Sequence, residues 1–170
     1  MSYVVRSDNS YIERGDPALD PYKQIHKAFN KKDTQQLFGW DNFDQMTGFW
    51  HPENSKDQAI FITLIKSGFQ VEHRYHDYFI NEKTFHWQSK RSTDQNSKAA
   101  ISLKSAEKRT HLFVRKTDNM FLGENKVAAP FTYCGILKHI LNINGNNPIQ
   151  VEFELESELP ERLKQEFLRI

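Results

Sequence analysis

The amino-acid sequence predicts an α+β, mainly β domain: a curved sheet or partly open β-barrel with small flanking helices. Three observations carry this. From Trp40 onward, short apolar stretches are separated by turn residues. One of them alternates strictly, with Ile149, Val151, Phe153 and Leu155 on one face and Gln150, Glu152 and Glu154 on the other, as a strand with one buried and one wet face requires. No crossover helices are legible between these stretches, which argues against a doubly wound fold. A single domain of 170 residues also buries enough surface to build a core without disulfides.

Taken in order, residues 1–19 are polar, carry Gly15 and Pro17 and lack periodicity, so they read as a linker or N-terminal arm ahead of a domain over 20–170. Asp20 is placed to cap a helix with Pro21 at its first position, and Tyr22, Ile25, His26 and Phe29 recur at helical spacing. Asp33 caps a second short helix through Leu37, stopped by Gly39. Strands are expected over residues 48–50, 59–65, 75–80, 85–88, 111–115, 131–137 and 149–155. The polar segment 95–108 reads as a mobile loop, residues 123–126 as a turn, and residues 160–168 as a closing helix.

Charge is balanced overall, 23 Lys and Arg against 22 Asp and Glu, but not locally. Residues 83–116 hold nine cations and two anions, whereas residues 152–169 hold six Glu and three cations. This asymmetry suggests a basic face for an anionic partner, with two solvated surfaces as the plainer alternative. The apolar run through Ile60, Phe61 and Ile62 is broken at Thr63, far short of the roughly 20 residues of a membrane span. The first residues lack the basic-then-apolar pattern of a secretory signal, and the lone Cys134 fits a reducing compartment; a cytoplasmic location is expected.

Catalytic patterns are weak. Cys134 sits among Phe131, Tyr133 and Ile136, the company of a packed strand rather than of an activated nucleophile. His73 and His76 would point to opposite faces of an extended chain and have no third ligand at metal spacing. Glu124-Asn125-Lys126 matches the E-x-K element of metal-dependent nucleases, but the nearest upstream acid, Asp118, lies too close. No phosphate-binding glycine loop, nucleophile elbow or HExxH element is present. No enzyme activity, metal or cofactor is therefore expected of this chain.

The informative feature is a concentration of rings among cations and small polar residues: Tyr75, Asp77 and Tyr78; Phe85-His86-Trp87-Gln88-Ser89-Lys90-Arg91; and Phe131-Thr132-Tyr133. Nucleic-acid binding needs this mixture, because rings stack bases, amides and carboxylates read base edges, and cations and hydroxyls hold phosphates. A β-barrel core with polar strand ends would produce a similar pattern.

The blocks Phe61-Ile62-Thr63-Leu64-Ile65-Lys66-Ser67, Tyr75-His76-Asp77-Tyr78, Phe85-His86-Trp87-Gln88-Ser89, Leu112-Phe113-Val114-Arg115 and Pro130-Phe131-Thr132-Tyr133-Cys134-Gly135 occur in order. Together they resemble the domain of unknown function at the C-terminus of DEAD/DEAH helicase-like, phospholipase-D-like restriction proteins, over roughly residues 34–159. The resemblance implies a PUA-like barrel similar to the SRA domain, and a reader of modified cytosine within a type IV restriction system. Cleavage and ATP hydrolysis would then reside in nuclease and helicase domains of the same or another chain. Cys134 departs from the larger aliphatic residue usual at its position.

A mechanism follows from the difficulty of reaching a base inside a duplex. A 5-methyl group offers only an apolar contact in the major groove, so an enclosing pocket discriminates better once the nucleotide is flipped out. Tyr75, Tyr78, Trp87 and Tyr133 are the candidate stacking rings, and Asp77 and Gln88 the candidate readers of the Watson–Crick edge. Lys66, Ser89, Lys90, Arg91 and Arg115 would contact the DNA backbone. The expected partner is double-stranded DNA bearing 5-methylcytosine or 5-hydroxymethylcytosine. A metal-dependent nuclease domain and a protein-interaction module of a defence complex are the alternatives.

Overall fold

A computed structural model describes residues 2–5, 11–66 and 76–168. It is mainly β, with a mixed sheet, few helices and no closed barrel. The strands are Ser2–Val5 (β1), Tyr11–Arg14 (β2), Ala28–Phe29 (β3), Phe49–Trp50 (β4), Asp57–Ile65 (β5), Tyr78–Asn81 (β6), Thr84–Gln88 (β7), Arg109–Thr117 (β8), Asn119–Leu122 (β9), Asn125–Ala128 (β10), Phe131–Asn144 (β11) and Gln150–Leu155 (β12). Three helices, Asp33–Phe38 (α1), Lys98–Lys104 (α2) and Glu161–Phe167 (α3), pack against them.

The long strand β11 organises the molecule. Its first residues pair with β3 and β8, and its later residues pair with β12, which continues into β7 and β6. The handover falls at Gly135, whose φ of 85° lies in the left-handed region open to glycine, and the β11–β8 register shifts there between Tyr133 and Ile136. A strand that changes neighbours at such an irregularity can turn a corner and serve two sheet layers. Among the described residues the sheet is open: β4 pairs only with β5, and β6 only with β7.

Two cores result. The first joins Ile60, Ile62 and Leu64 of β5 and Leu112 and Val114 of β8 to Phe85 and Trp87 of β7 and Val151, Phe153 and Leu155 of β12. The second, on the other face of β5 and β8, joins Ala59, Phe61 and Phe113 to Phe131, Tyr133, Phe29, Leu37 and Trp40. With both faces covered, β5 is apolar in nearly unbroken sequence rather than alternating. It runs parallel to β8, and the connection between them includes α2, whose Ala100 and Leu103 enter the first core.

That helix corrects the reading of 95–108 as a mobile loop and of the fold as lacking a crossover helix. Its signal is short, seven residues, and only two of them are buried. The helix expected from Asp20 also fails to extend. Asp20 accepts from Tyr22 N–H, but only a 3-10 turn, Pro21–Lys23, forms, because His26 adopts a left-handed φ of 73° and Ala28 and Phe29 pair with β11. Residues 123–124 are the turn of a β9–β10 hairpin, with Asn125 and Lys126 already in β10. Residues 2–5 and 11–14 form an antiparallel pair, touching the main sheet through the single register match of Arg14 and Ala28.

Candidate functional site

Where β4 and β5 on one side and the end of β7 on the other draw apart, they leave a cavity of about 650 Å³. That lies within the ~300–1,000 Å³ of small-ligand clefts. Among the described residues its wall has three parts. Asp41, Asn42, Asp44, Thr47 and Gly48 come from the loop before β4. Phe49, Trp50, His51, Pro52, Asn54, Phe61 and Ile62 follow from β4, its exit and β5. Lys66, Asp77, Trp87, Gln88, Ser89 and Lys90, with Thr93 and Ala99, complete it.

The most constrained group is Asp77, only 6% exposed. One carboxylate oxygen accepts from Gln88 N–H at 2.9 Å, and the other lies 3.3 Å from Lys66 Nζ. Burial is the largest influence and raises its pKa, opposed by the Lys66 charge and the Gln88 amide. Asp77 thereby ties the segment before β6 to the end of β7 and fixes Gln88 at the cavity. Trp87 is 6% exposed and meets Phe49 edge to face at 5.6 Å, so it forms floor rather than a free stacking platform. The half-buried rings are Phe49 and Trp50. His51 rests on Phe49 at 4.7 Å, and burial, reinforced by the charges of Lys90 and Lys108, lowers its pKa and favours the neutral imidazole.

The segment after β7 is held rigidly. Ser89 Oγ accepts from Ile149 N–H and donates to Lys90 O, while Ser89 N–H donates to Ile149 O. Asn147 N–H donates to Thr93 O, and Gln95 N–H to Asn146 Oδ1. The exposed side chains of Lys90 and Arg91 thus stand on a turn pinned to the β11–β12 connection.

The structure therefore gathers Lys66, Asp77, Trp87, Gln88, Ser89 and Lys90 on one cavity, with Arg91 next along the chain but outside the lining. The other expected residues lie elsewhere. Tyr133 is fully buried in the second core, where its hydroxyl is 2.7 Å from His111 Nδ1. It cannot stack a base, because β11 turns it toward Phe113. Tyr78 is 43% exposed but lies flat on His86 at 4.7 Å, on the outer side of the β6–β7 ribbon. Arg115 spends its guanidinium on Thr63 Oγ1, Ala129 O and Asp118, and lies over Phe131 at 4.3 Å. Tyr75 lies outside the described residues.

Most of the basic segment is likewise used internally. Lys83 pairs with Glu154 and Arg109 with Asp57, and Lys104 donates to Gln95 O, whereas the Lys98–Glu53 pair stays exposed. Lys108 Nζ donates to the carbonyls of Pro52, Glu53 and Ser55, holding the cavity loop. Counting cations along the sequence overstated the charge available to an outside anion. Reading by strand periodicity also passed over part of the 41–54 wall. The strand expected over residues 48–50 forms as β4, and the part left unread is the polar loop before it, with Asp41, Asn42 and Asp44. Glu124 and Lys126 stand on the β9–β10 hairpin and do not line the cavity. Among the described residues, no group of three or more His, Cys, Asp or Glu is arranged to hold a metal ion.

No helix of the described residues is long and apolar enough to cross a membrane. No curated protein matches the chain. A family model described as Domain of unknown function (DUF3427) matches residues 24–167, which include both cores and every described cavity residue. The chain belongs to the DUF3427 family.

Proposed function

We propose that the chain is a DNA-binding specificity domain that reads a modified base, 5-methylcytosine or 5-hydroxymethylcytosine, by taking the flipped nucleotide into the cavity beside Trp87. The observation that carries this reading is the meeting of an aromatic-walled cavity with Lys90 and Arg91 on a pinned turn at its edge. Flipping costs a few kcal/mol, and stacking returns about 1–3 kcal/mol per base. Phe49 and Trp50 supply that ring surface in place of the tyrosines. Gln88 and Asp77 read the base edge, with Lys66 held on Asp77, and Lys90 and Arg91 meet phosphates.

On this reading the sheet that turns a corner at Gly135 is an open relative of the PUA/SRA architecture, and the domain selects rather than cuts. Cleavage and strand translocation belong to nuclease and helicase domains of the same or another chain in a modification-dependent restriction system in the cytoplasm.

The test is fluorescence anisotropy on matched duplexes carrying cytosine, 5-methylcytosine or 5-hydroxymethylcytosine, at two salt concentrations with EDTA present. Salt-sensitive binding that prefers a modified duplex supports the reading. Equal affinity for all three, or none at low salt, overturns it.

A further inference from the structure

Lys66 and Asp77 form an ion pair in the cavity wall, and the pair is one-sided. The Asp77 side chain is 6% exposed and the Lys66 side chain 34%, with 3.3 Å between Nζ and Oδ2. Lys66 stands just past the end of β5, two residues beyond the buried Leu64, and Asp77 just ahead of β6. The pair therefore joins two strand ends while both residues line the cavity.

Neither partner is saturated. An ammonium carries three N–H donors, and among the described residues Asp77 is the group that meets them. A carboxylate offers about four lone-pair positions, of which Asp77 commits one to Lys66 and one to Gln88 N–H. The wall thus presents an acceptor beside a donor. A phosphate drawn to that ammonium would lie next to the Asp77 carboxylate and be repelled. Pulling the ammonium away instead would leave a buried carboxylate held by one amide. A neutral base edge avoids both costs. An acceptor beside a donor matches an amino group next to an unprotonated ring nitrogen, the edge of cytosine, and a carboxylate accepting from the cytosine amino group is a standard pairing. Uracil presents the reverse, a carbonyl next to a ring N–H. A flipped nucleotide is tethered through its sugar, so its ring cannot turn over to exchange the two.

Resting on the base-reading proposal above, we infer that Lys66 is a specificity residue: Asp77 accepts from the base's exocyclic amino group while Lys66 donates to the ring nitrogen beside it. The pair then selects a cytosine-type edge over a uracil-type one. The full chain is titrated by anisotropy with duplexes carrying cytosine, 5-hydroxymethylcytosine or 5-hydroxymethyluracil at one position. Each base is set opposite an abasic site, so that none has a pairing partner to leave. The two hydroxymethylated bases share their 5-substituent and differ at the edge. 5-Hydroxymethylcytosine is expected to bind at least about ten-fold tighter than 5-hydroxymethyluracil, the discrimination of one bidentate contact. Lys66→Met, with folding checked by thermal unfolding, should bring that ratio close to one and leave the salt slope as it was. A wild-type ratio near one, which needs no variant to read, overturns the edge inference alone. So does a ratio that folded Lys66→Met leaves unchanged, and a salt slope lower by about one would then place Lys66 on a phosphate. Equal binding of the cytosine and 5-hydroxymethylcytosine duplexes, or no binding, overturns the base-reading proposal with it.

Discussion

Tyr133→Phe separates a ring in the core from a ring in a binding pocket. In the second core, Asp57 accepts from His111 Nε2–H at 2.8 Å, which leaves Nδ1 to accept from the Tyr133 hydroxyl at 2.7 Å. His111 and Tyr133 are both fully buried. Burial lowers the His111 pKa, with Asp57 opposing, and raises that of Tyr133, so both stay neutral and the hydroxyl remains a donor. Removing it preserves the ring's packing on Phe113 but strands Nδ1, a loss of about 1–3 kcal/mol. In a chain of this size each kcal/mol lowers Tm by about 2–4 °C, so a mid-range loss corresponds to about 4–8 °C. Thermal and urea unfolding measure this, and anisotropy on modified and unmodified duplexes measures the other half. Discrimination should survive intact. An unchanged Tm, or lost discrimination in a folded variant, refutes the assignment of Tyr133 to the core network.

The same network predicts acid sensitivity. Because the folded His111 pKa lies below its unfolded value near 6.5, stability is full above that pH and falls as pH drops through it, by at most about 1.4 kcal/mol per unit; urea midpoints from pH 7.5 to 5 should flatten in His111→Gln. Arg91→Ala should weaken all duplexes alike and reduce the salt slope by about one, with stability within about 0.5 kcal/mol. Lys108→Ala should instead lower Tm, since it releases three loop carbonyls, and a reduced salt slope without a Tm change would contradict that role. Asp77→Asn should leave Tm at pH 7 equal or raised while reducing base discrimination in anisotropy, and a large Tm loss would show the carboxylate to be a structural tie.

What the sequence made legible depended on local repetition. The β12 alternation and the β7 block are visible because one row is apolar and the next is not, and both form as expected. The start of α3 and the stop of α1 are visible because Pro160 and Gly39 act locally. The β3 pairing of Ala28 and Phe29 is decided by β11, a hundred residues away, so a helical spacing around Ile25 gave the wrong element. Tyr133 and Trp87 look alike as aromatic blocks. Only the corner in β11 sends one toward His111 and leaves the other at the cavity edge. Cation counting failed for a related reason: whether Lys108 meets solvent or three carbonyls is fixed by the fold of residues 52–55.

Two carboxylates, the half-buried Asp57 and the buried Asp77, differ in how they are matched. Asp57 is matched by His111 and Arg109, and its pKa is lowered, so ionisation of Asp57 supports the fold. Asp77 is held by one amide and one half-exposed lysine, and burial outweighs them, so its pKa is raised. The folded chain then binds that proton more tightly than the unfolded chain. The ionised form works against the fold at neutral pH, and this cost fades as pH falls toward the ordinary carboxylate range. A fold optimised for stability alone would carry Asn there, keeping the acceptor for Gln88 N–H without the charge. Asp77 stands on the cavity wall, and on the base-reading proposal the donors of the bound base meet its carboxylate and offset the cost of its burial.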